Sequence, residues 1–317
     1  MSKKKILIIS PKAFGYVEYL YQELKGREDV EVNIAYLEFN GFKNPYEKLQ
    51  NVLSKTFLGV NLKKAYYFME DDIRAIGKQD EILIIRPDFL TNKFLKELKT
   101  MTTRLVAYYW DSAQRLTRKQ DIIPFFDKIF SFDKIDVEKY NFDFITNYIF
   151  ETSPVNKNPE YLFFNISGND DDYRFKQLED LGKYIKNKGW SSKFISVHPK
   201  LEAAEGGIVE VVDQVIYVNE AIKLAKKSKI VVEFQRKQQT GLTFRVFEAL
   251  GLQKKLITTN KDIVNFDFYN PNNILLLDEN NFEISDEFVN SPYQEVDEAI
   301  LKKYRIEHWV NRVLNLQ

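Results

Sequence analysis

The sequence predicts an α/β protein built from two successive β/α halves, and three observations carry that prediction. Short apolar runs alternate with amphipathic stretches along the chain, the pattern of mostly parallel sheets. The alternation stops once, over 151–160 (ETSPVNKNPE), which has two Pro, two Asn and no periodicity, and then starts again. The length, 317 residues, also exceeds what one hydrophobic core usually supports.

In the first half, 5–10 (KILIIS) is an apolar run of the kind a strand covered on both faces shows. An amphipathic stretch after Gly15 ends near Gly26, and 30–37 (VEVNIAYL) alternates as a second strand. A polar, helical region follows, with Leu62, Tyr66, Phe68 and Ile73. Residues 81–85 (EILII) read as a third strand, and 91–101 as a helix that starts at a Thr cap. A fourth strand at 105–110 (LVAYYW) ends at Asp111-Ser112; 128–132 (KIFSF) and 142–149 close this half.

In the second half, 161–166 (YLFFNI) is a strand followed by a Gly168 turn. A helix over 172–188 places Phe175, Leu178, Leu181 and Ile185 on one face. Further strands are expected at 193–197, 214–218 (QVIYV), 230–234 (IVVEF), 255–259 (KLITT) and 274–277. Asn219 is expected to cap a helix through Ala225, and 242–250 is helical. Residues 300–316 are amphipathic through Ile306, Trp309, Val310 and Val313. The organisation expected is a domain over 1–152, a domain over 158–300, and a terminal helix over 301–317 crossing back to the first domain. Ligands of such sheets sit outside the carboxyl ends of the strands, so a cleft between the halves is the expected site.

Composition excludes several functions. The 46 basic residues balance 46 acidic ones, which argues against broad contact with nucleic-acid phosphates. Cys is absent and His occurs only at positions 198 and 308, so thiolate chemistry and multi-histidine metal sites are not expected. No run approaches the roughly 18 apolar residues of a membrane span. The lysine-led N-terminus has too short an apolar core for a signal peptide, so an intracellular, cytoplasmic protein is expected.

The most informative stretch is 239–260 (QTGLTFRVFEALGLQKKLITTN). Thr240-Gly241-Leu242-Thr243 precedes a helix, so backbone N–H groups and a Thr hydroxyl converge at its positive end, where a phosphate or diphosphate binds. Arg245 and Glu248 share one helical face; the Arg could add a fork to that phosphate, and the Glu could accept from ribose hydroxyls. A capped helix with a surface Arg–Glu pair is the alternative. This run resembles the donor-site signature of GT-B glycosyltransferases, more narrowly the bacterial lipopolysaccharide and capsule biosynthesis enzymes of the CgeB-like group. Tyr109-Trp110-Asp111-Ser112, the run 126–133 (FDKIFSFD) and Phe268-Tyr269-Asn270 are similar to the same family.

The resemblance implies a GT-B-like fold of two Rossmann-like β/α/β domains facing across a cleft. A nucleotide-sugar donor would lie mainly on the second domain and a glycan or lipid-linked acceptor on the first. It implies a donor of UDP, GDP or dTDP type, a CMP-sugar being the lesser alternative, no metal cofactor, and peripheral contact with the inner face of the cell membrane. Donor-binding residues would be Arg174, Thr240, Gly241, Thr243, Arg245 and Glu248. His198, in a His-Pro pair of the kind sialyl- and Kdo-type transferases use on a CMP phosphate, joins them. Glu248 matches the second of two glutamates that many such enzymes carry eight residues apart, whereas Thr240 stands at the first.

Tyr109 and Gly15 are assigned to the acceptor; Gly15 reads equally as a tight turn. Asp111, past the end of a predicted central strand, is the candidate catalytic base for inverting transfer, with a helix cap as the alternative. Asp170 and Asp172 read as a helix cap, with an Asp-x-Asp metal pair as the alternative. Rival activities are a nucleotide-sugar epimerase of the same shape and a non-catalytic sugar- or nucleotide-binding protein.

Overall fold

The computed structural model describes residues 3–37, 42, 44–58, 70–116, 120–168, 172–197 and 207–317. The chain divides into two compact units, Met1–Ile145 with Val310–Gln317, and Thr146–Trp309.

In chain order, unit 1 contains β1 (Lys4–Ser10), α1 (Tyr16–Lys25), β2 (Val30–Tyr36), α2 (Pro45–Leu58), α3 (Glu70–Ile76), β3 (Gln79–Ile85), α4 (Asn92–Met101), β4 (Thr102–Tyr109), β5 (Lys128–Ser131), α5 (Lys134–Tyr140) and β6 (Asp143–Phe144). All strands pair in parallel in the order β2-β1-β3-β4-β5-β6. Ile6, Leu7, Ile8 and Ile9 have no exposed surface, which explains a continuous apolar run in place of an alternating one. Thr91 Oγ1 accepts from the Phe94 N–H at 3.1 Å and starts α4, as the cap reading expects. Phe94, Leu95 and Leu98 of that helix close over Leu7, Ile9, Ile82 and Ile84.

The last eight residues pack into unit 1. Lys4 Nζ donates to the Leu314 carbonyl at 2.5 Å, and Arg104 Nη1 to that of Val313 at 2.9 Å. Both cations also flank Glu81, whose side chain is buried in β3.

Unit 2 runs β7 (Tyr161–Gly168), α6 (Asp172–Asn187), β8 (Ser192–Val197), β9 (Glu210–Val212), α7 (Val218–Lys226), β10 (Ser228–Glu233), α8 (Phe244–Gly251), β11 (Lys255–Thr258), β12 (Ile274–Leu276), α9 (Asp286–Asn290), α10 (Glu298–Lys302) and α11 (Ile306–Val313), the last residues of α11 counting with unit 1. Its sheet is parallel in the order β12-β11-β10-β7-β8-β9.

Three expectations are corrected. The run 214–218 is not a strand: the edge strand is β9, whose flank Val209 is buried, while Val215 and Tyr217 are about half exposed. Asn219 does not cap α7, which Tyr217 precedes; its Oδ1 accepts from Glu220 N–H at 3.0 Å inside the first turn. The units part at Ile145/Thr146 rather than within 151–160. Asn147 Nδ2 donates to the Leu242 carbonyl at 2.9 Å, Trp309 Nε1 to that of Thr146 at 3.0 Å, and the Tyr148 ring meets Phe244 and Trp309 edge-on.

Two consecutive lysines lie in the interior of unit 2. Lys254 Nζ donates to the carbonyls of Lys226 and Ser228, and Lys255 Nζ to the Phe288 carbonyl and Ser291 Oγ. Burial pushes both ammonium groups down to about 8. In the unfolded chain they stay protonated to about 10.4, so above pH 8 the folded chain holds fewer protons and stability rises with pH. The urea midpoint is therefore expected to climb between pH 8 and 10, with a stability gain on the order of 2 kcal/mol. Above pH 10 the trend reverses, because burial keeps Tyr148 and Tyr304 neutral only in the folded chain. Replacing both lysines by Met should flatten the climb; a wild-type midpoint that is level or falling over that range contradicts it.

Among the described residues, no helix is long and apolar enough to cross a membrane.

Candidate functional site

The connection order of each sheet marks one place on it. In unit 2 the chain builds outward from β7 through β8 to β9, then returns to the other side of β7 with β10 and continues to β11 and β12. The switch point lies between β7 and β10, and the crevice outside their carboxyl ends is where open α/β sheets bind ligands. Asn165, buried in β7, spans these strands by donating to the Val232 carbonyl at 2.8 Å.

The carboxyl end of β10 carries Glu233, which is buried. Thr258 at the end of β11 donates its hydroxyl to Glu233 Oε2 at 2.5 Å, and Thr243 Oγ1 stands 3.5 Å from Oε1. Burial pushes this carboxyl above the usual carboxylate range, against the opposing pull of the Thr258 bond and the Arg174 and Arg245 charges. Glu233 is thus the centre of a cluster drawn from four elements. Reading 230–234 only as an apolar strand misses it; the signal present was one acid in an otherwise apolar run.

Six of the seven expected donor residues meet here. Thr243 precedes α8 in extended conformation without a side-chain cap bond, its hydroxyl turned instead to Glu233. Arg245, in the first turn of α8, donates to the Ile166 carbonyl of β7 at 3.3 Å and is ion-paired with Glu248. Arg174, in the first turn of α6, donates to the Gly168 carbonyl. The carbonyls of Thr240 and Gly241 accept from Asn260 Nδ2 at 3.0 and 3.4 Å, and Gln235 Nε2 donates to Gln239 and Gly241. The loop ahead of α8 is therefore braced from β10 and from the end of β11. Lys237 Nζ sits 3.6 Å over the Tyr173 ring, tying the same loop to α6.

Two details refine the expectation. Glu248 has a side chain only 1% exposed and packs against Arg245, so in this conformation it holds the arginine; ribose contact requires the pair to open. The carboxylate at the strand end is Glu233, which sequence reasoning did not include. His198 and Asp170 lie outside the described residues.

Unit 1 has its switch point between β1 and β3. Gly15, after β1, has φ 97°, a left-handed conformation natural to glycine. Arg86, the residue after β3, has φ 62° and ψ 60°, strain that costs a non-glycine residue about 1 kcal/mol or more. The turn lets Arg86 grip Asp88 through two bonds of 2.9 and 3.1 Å and Asp111 through a third of 2.9 Å, over the face of Phe89. Burial would lower the guanidinium pKa, but the Asp88 and Asp111 contacts raise it. Asp111, past β4 and about a quarter exposed, thus has one oxygen held by Arg86.

Tyr109 is corrected. It has no exposed surface and its ring lies 5.4 Å from that of Phe142, so it belongs to the core and does not present itself to an acceptor in this conformation. Burial, then the charges of Asp88, Asp121 and Asp136, push its phenol upward.

No protein-family model and no curated protein sequence matches the chain. Solved structures do. An α,α-trehalose-phosphate synthase (UDP-forming) from Burkholderia vietnamiensis matches with a TM-score of 0.57 at 11% identity, over 99% of both chains. A MnaA–UDP co-structure from S. aureus matches at 0.51 and 12% identity, over 99% of this chain and 98% of that one. A UDP-N-acetylglucosamine 2-epimerase matches at 0.50 and 11% identity, over 98% and 97%. At such identities the likeness is one of fold. The chain has the GT-B-like α/β fold, two Rossmann-like β/α/β domains in succession.

Proposed function

We propose that the chain is a glycosyltransferase that moves a sugar from a nucleoside-diphosphate sugar to a glycan or lipid-linked acceptor in the assembly of bacterial surface polysaccharide. The observation that carries this reading is the gathering of Arg174, Arg245 and the amino end of α8 at the β7/β10 switch point. A leaving diphosphate develops negative charge as the glycosidic bond breaks. Two guanidinium groups and the first-turn N–H groups of a helix are the groups that stabilise such charge where it develops. Glu233, Thr258 and Thr243 hold the floor of the site, and Glu248 holds Arg245.

The acceptor falls to unit 1. Asp111 is the base that takes the proton of the attacking acceptor hydroxyl in inverting transfer, and Arg86 fixes its direction. Because the protein's own cations meet the diphosphate, donor binding requires no metal.

A thermal-shift panel of UDP, GDP, dTDP, CMP and ADP, each with magnesium and with EDTA, tests this reading. A ligand at 100 times its Kd stabilises the fold it binds by about 2.7 kcal/mol. One nucleoside diphosphate is expected to raise Tm equally with magnesium and with EDTA. Stabilisation by CMP instead moves the reading to a CMP-sugar enzyme with His198 as phosphate ligand, and the absence of any response overturns it. The fold likeness to a UDP-N-acetylglucosamine 2-epimerase keeps one rival in view. That rival converts or hydrolyses a UDP-sugar with no acceptor present, whereas the transferase leaves the donor largely intact until an acceptor is added.

A further inference from the structure

The hydrogen bonds around Glu233 fix where a proton on it sits. Thr258 Oγ1 accepts from the Asn260 N–H at 3.1 Å and gives its own hydrogen to Glu233 Oε2, 2.5 Å away. Oε2 is therefore the accepting oxygen, and a proton on this carboxyl belongs on Oε1. Oε1 faces Thr243 Oγ1 at 3.5 Å, the limit of hydrogen-bond reach. Thr243 makes no side-chain cap bond to α8, so its hydroxyl is not committed to the helix.

That arrangement makes the direction of the Thr243 hydroxyl depend on Glu233. With the acid protonated, Oε1 donates to Thr243 Oγ1, and the Thr243 hydrogen turns outward to the amino end of α8. With the acid ionised, Thr243 donates back to Oε1 and turns lone pairs outward instead. A diphosphate at that helix end carries acceptors, so it takes the donor and rejects the lone pairs. A buried carboxylate beneath it adds a second repulsion, which water does little to screen.

The charges around this carboxyl are Arg174 of α6 and Arg245 of α8, the latter paired with Glu248. The loop after β10 adds Arg236 and Lys237, with Lys237 set over the Tyr173 ring, and β11 adds the Thr258 hydroxyl. Burial outweighs the pull of the arginines and holds the proton on above the usual carboxylate range.

We propose that Glu233 is a positioning residue of the diphosphate site, which in its protonated form aims the Thr243 hydroxyl at the ligand. The assignment rests on the donor-site reading of α8 and adds to it a requirement for one proton. Where the free protein has Glu233 ionised, binding takes that proton from solvent onto Oε1, so affinity falls as pH rises through the Glu233 midpoint.

Isothermal titration of UDP into the full chain and into Glu233→Gln, from pH 5 to 9, tests this. The Gln amide accepts from Thr258 and donates to Thr243 at every pH, so it reproduces the protonated acid. The ratio of wild-type to Gln-variant Kd cancels the ionisation of UDP itself. It is expected to stay near one at low pH and to rise about tenfold per unit above the Glu233 midpoint. At pH 8 to 9, where the UDP phosphates are fully ionised, buffers of different ionisation enthalpy should report proton uptake by the wild type and none by the variant. Thr243→Val should weaken UDP binding about tenfold at low pH and lose most of the rise. A ratio flat across pH, without proton uptake, overturns the proposal and leaves the donor site standing. A rise of full size in Thr243→Val overturns it as well, because the effect then bypasses the hydroxyl. If UDP and the other nucleotides of the thermal panel bind neither protein at any pH, the donor reading falls and the proposal with it. Urea midpoints certify the fold of the variants, and the wild-type proton uptake decides the matter if either fails to fold.

Discussion

Arg245→Ala is expected to weaken binding of the stabilising nucleoside diphosphate by roughly a hundredfold and to lower the stability of the chain by about 3–5 kcal/mol. The two effects have different origins. Stability falls because Glu248 stays behind, buried, with its ion-pair partner gone. Affinity falls because a guanidinium at the start of α8 no longer meets the diphosphate. Arg245→Ala with Glu248→Met separates them. Removing both partners of a buried pair and filling the space restores most of the stability, while the nucleotide affinity stays low. Arg245→Lys keeps the charge and loses the fork, so its affinity is expected to fall between the two. Urea denaturation and isothermal titration read the two quantities independently. An Arg245→Ala protein that binds the diphosphate like the wild type, or a double variant that regains affinity along with stability, contradicts the assignment.

Gly251→Ala is expected to cost about 3 kcal/mol or more, a fall of roughly 6–12 °C in Tm for a unit of this size. In an open helix the same change is favourable by about 1 kcal/mol. Here a Cβ on Gly251 would meet the Glu151 carbonyl oxygen at 2.2 Å and Ile149 Cγ2 at 2.6 Å. Backbone is the obstacle, so no rotamer change relieves it. The chain from Thr146 onward lies against the end of α8, with Ser153 N–H donating to the Gly251 carbonyl at 3.1 Å. An unchanged or raised Tm in Gly251→Ala would mean that this segment does not sit where the structure has it.

The parallel strands were legible because their burial on both faces leaves a local mark. A run such as KILIIS has no polar alternation to confuse it, and β1, β3, β4, β7, β8, β10 and β11 all fall on runs read as strands. The edge strand β9 was not legible. It is three residues long, and the more strand-like QVIYV beside it is a loop that leaves Val215 and Tyr217 half exposed. Helices α5 and α9, of seven and five residues, are too short to show a periodicity. The domain boundary was misplaced by several residues for a different reason. Composition marks where a chain is irregular, whereas the unit to which 146–150 belongs is decided by Leu242 and Trp309, remote in sequence.

The site divides in the same way. The start of α8 was readable from TGLT and the Arg–Glu spacing, because a helix terminus and its first turn are local features. The convergence of Arg174 with Arg245, and the place of Glu233 beneath them, depend on β7 and β10 being neighbours across a crossover. No window of the sequence holds that information. Arg86, the partner of Asp111, was missed for the same reason: 25 residues separate them, and adjacent strands bring them together.

Hydrogen–deuterium exchange with and without the nucleotide selected by the thermal panel tests the central claim most directly. If α8 and the arginines hold a diphosphate, the bound nucleotide slows exchange over 240–247 and over the first turn of α6. The amides of the buried strands β1 and β4 in unit 1 should be unaffected. Protection confined to unit 1, or none over 240–247 at saturating nucleotide, would contradict the assignment of this site to the donor.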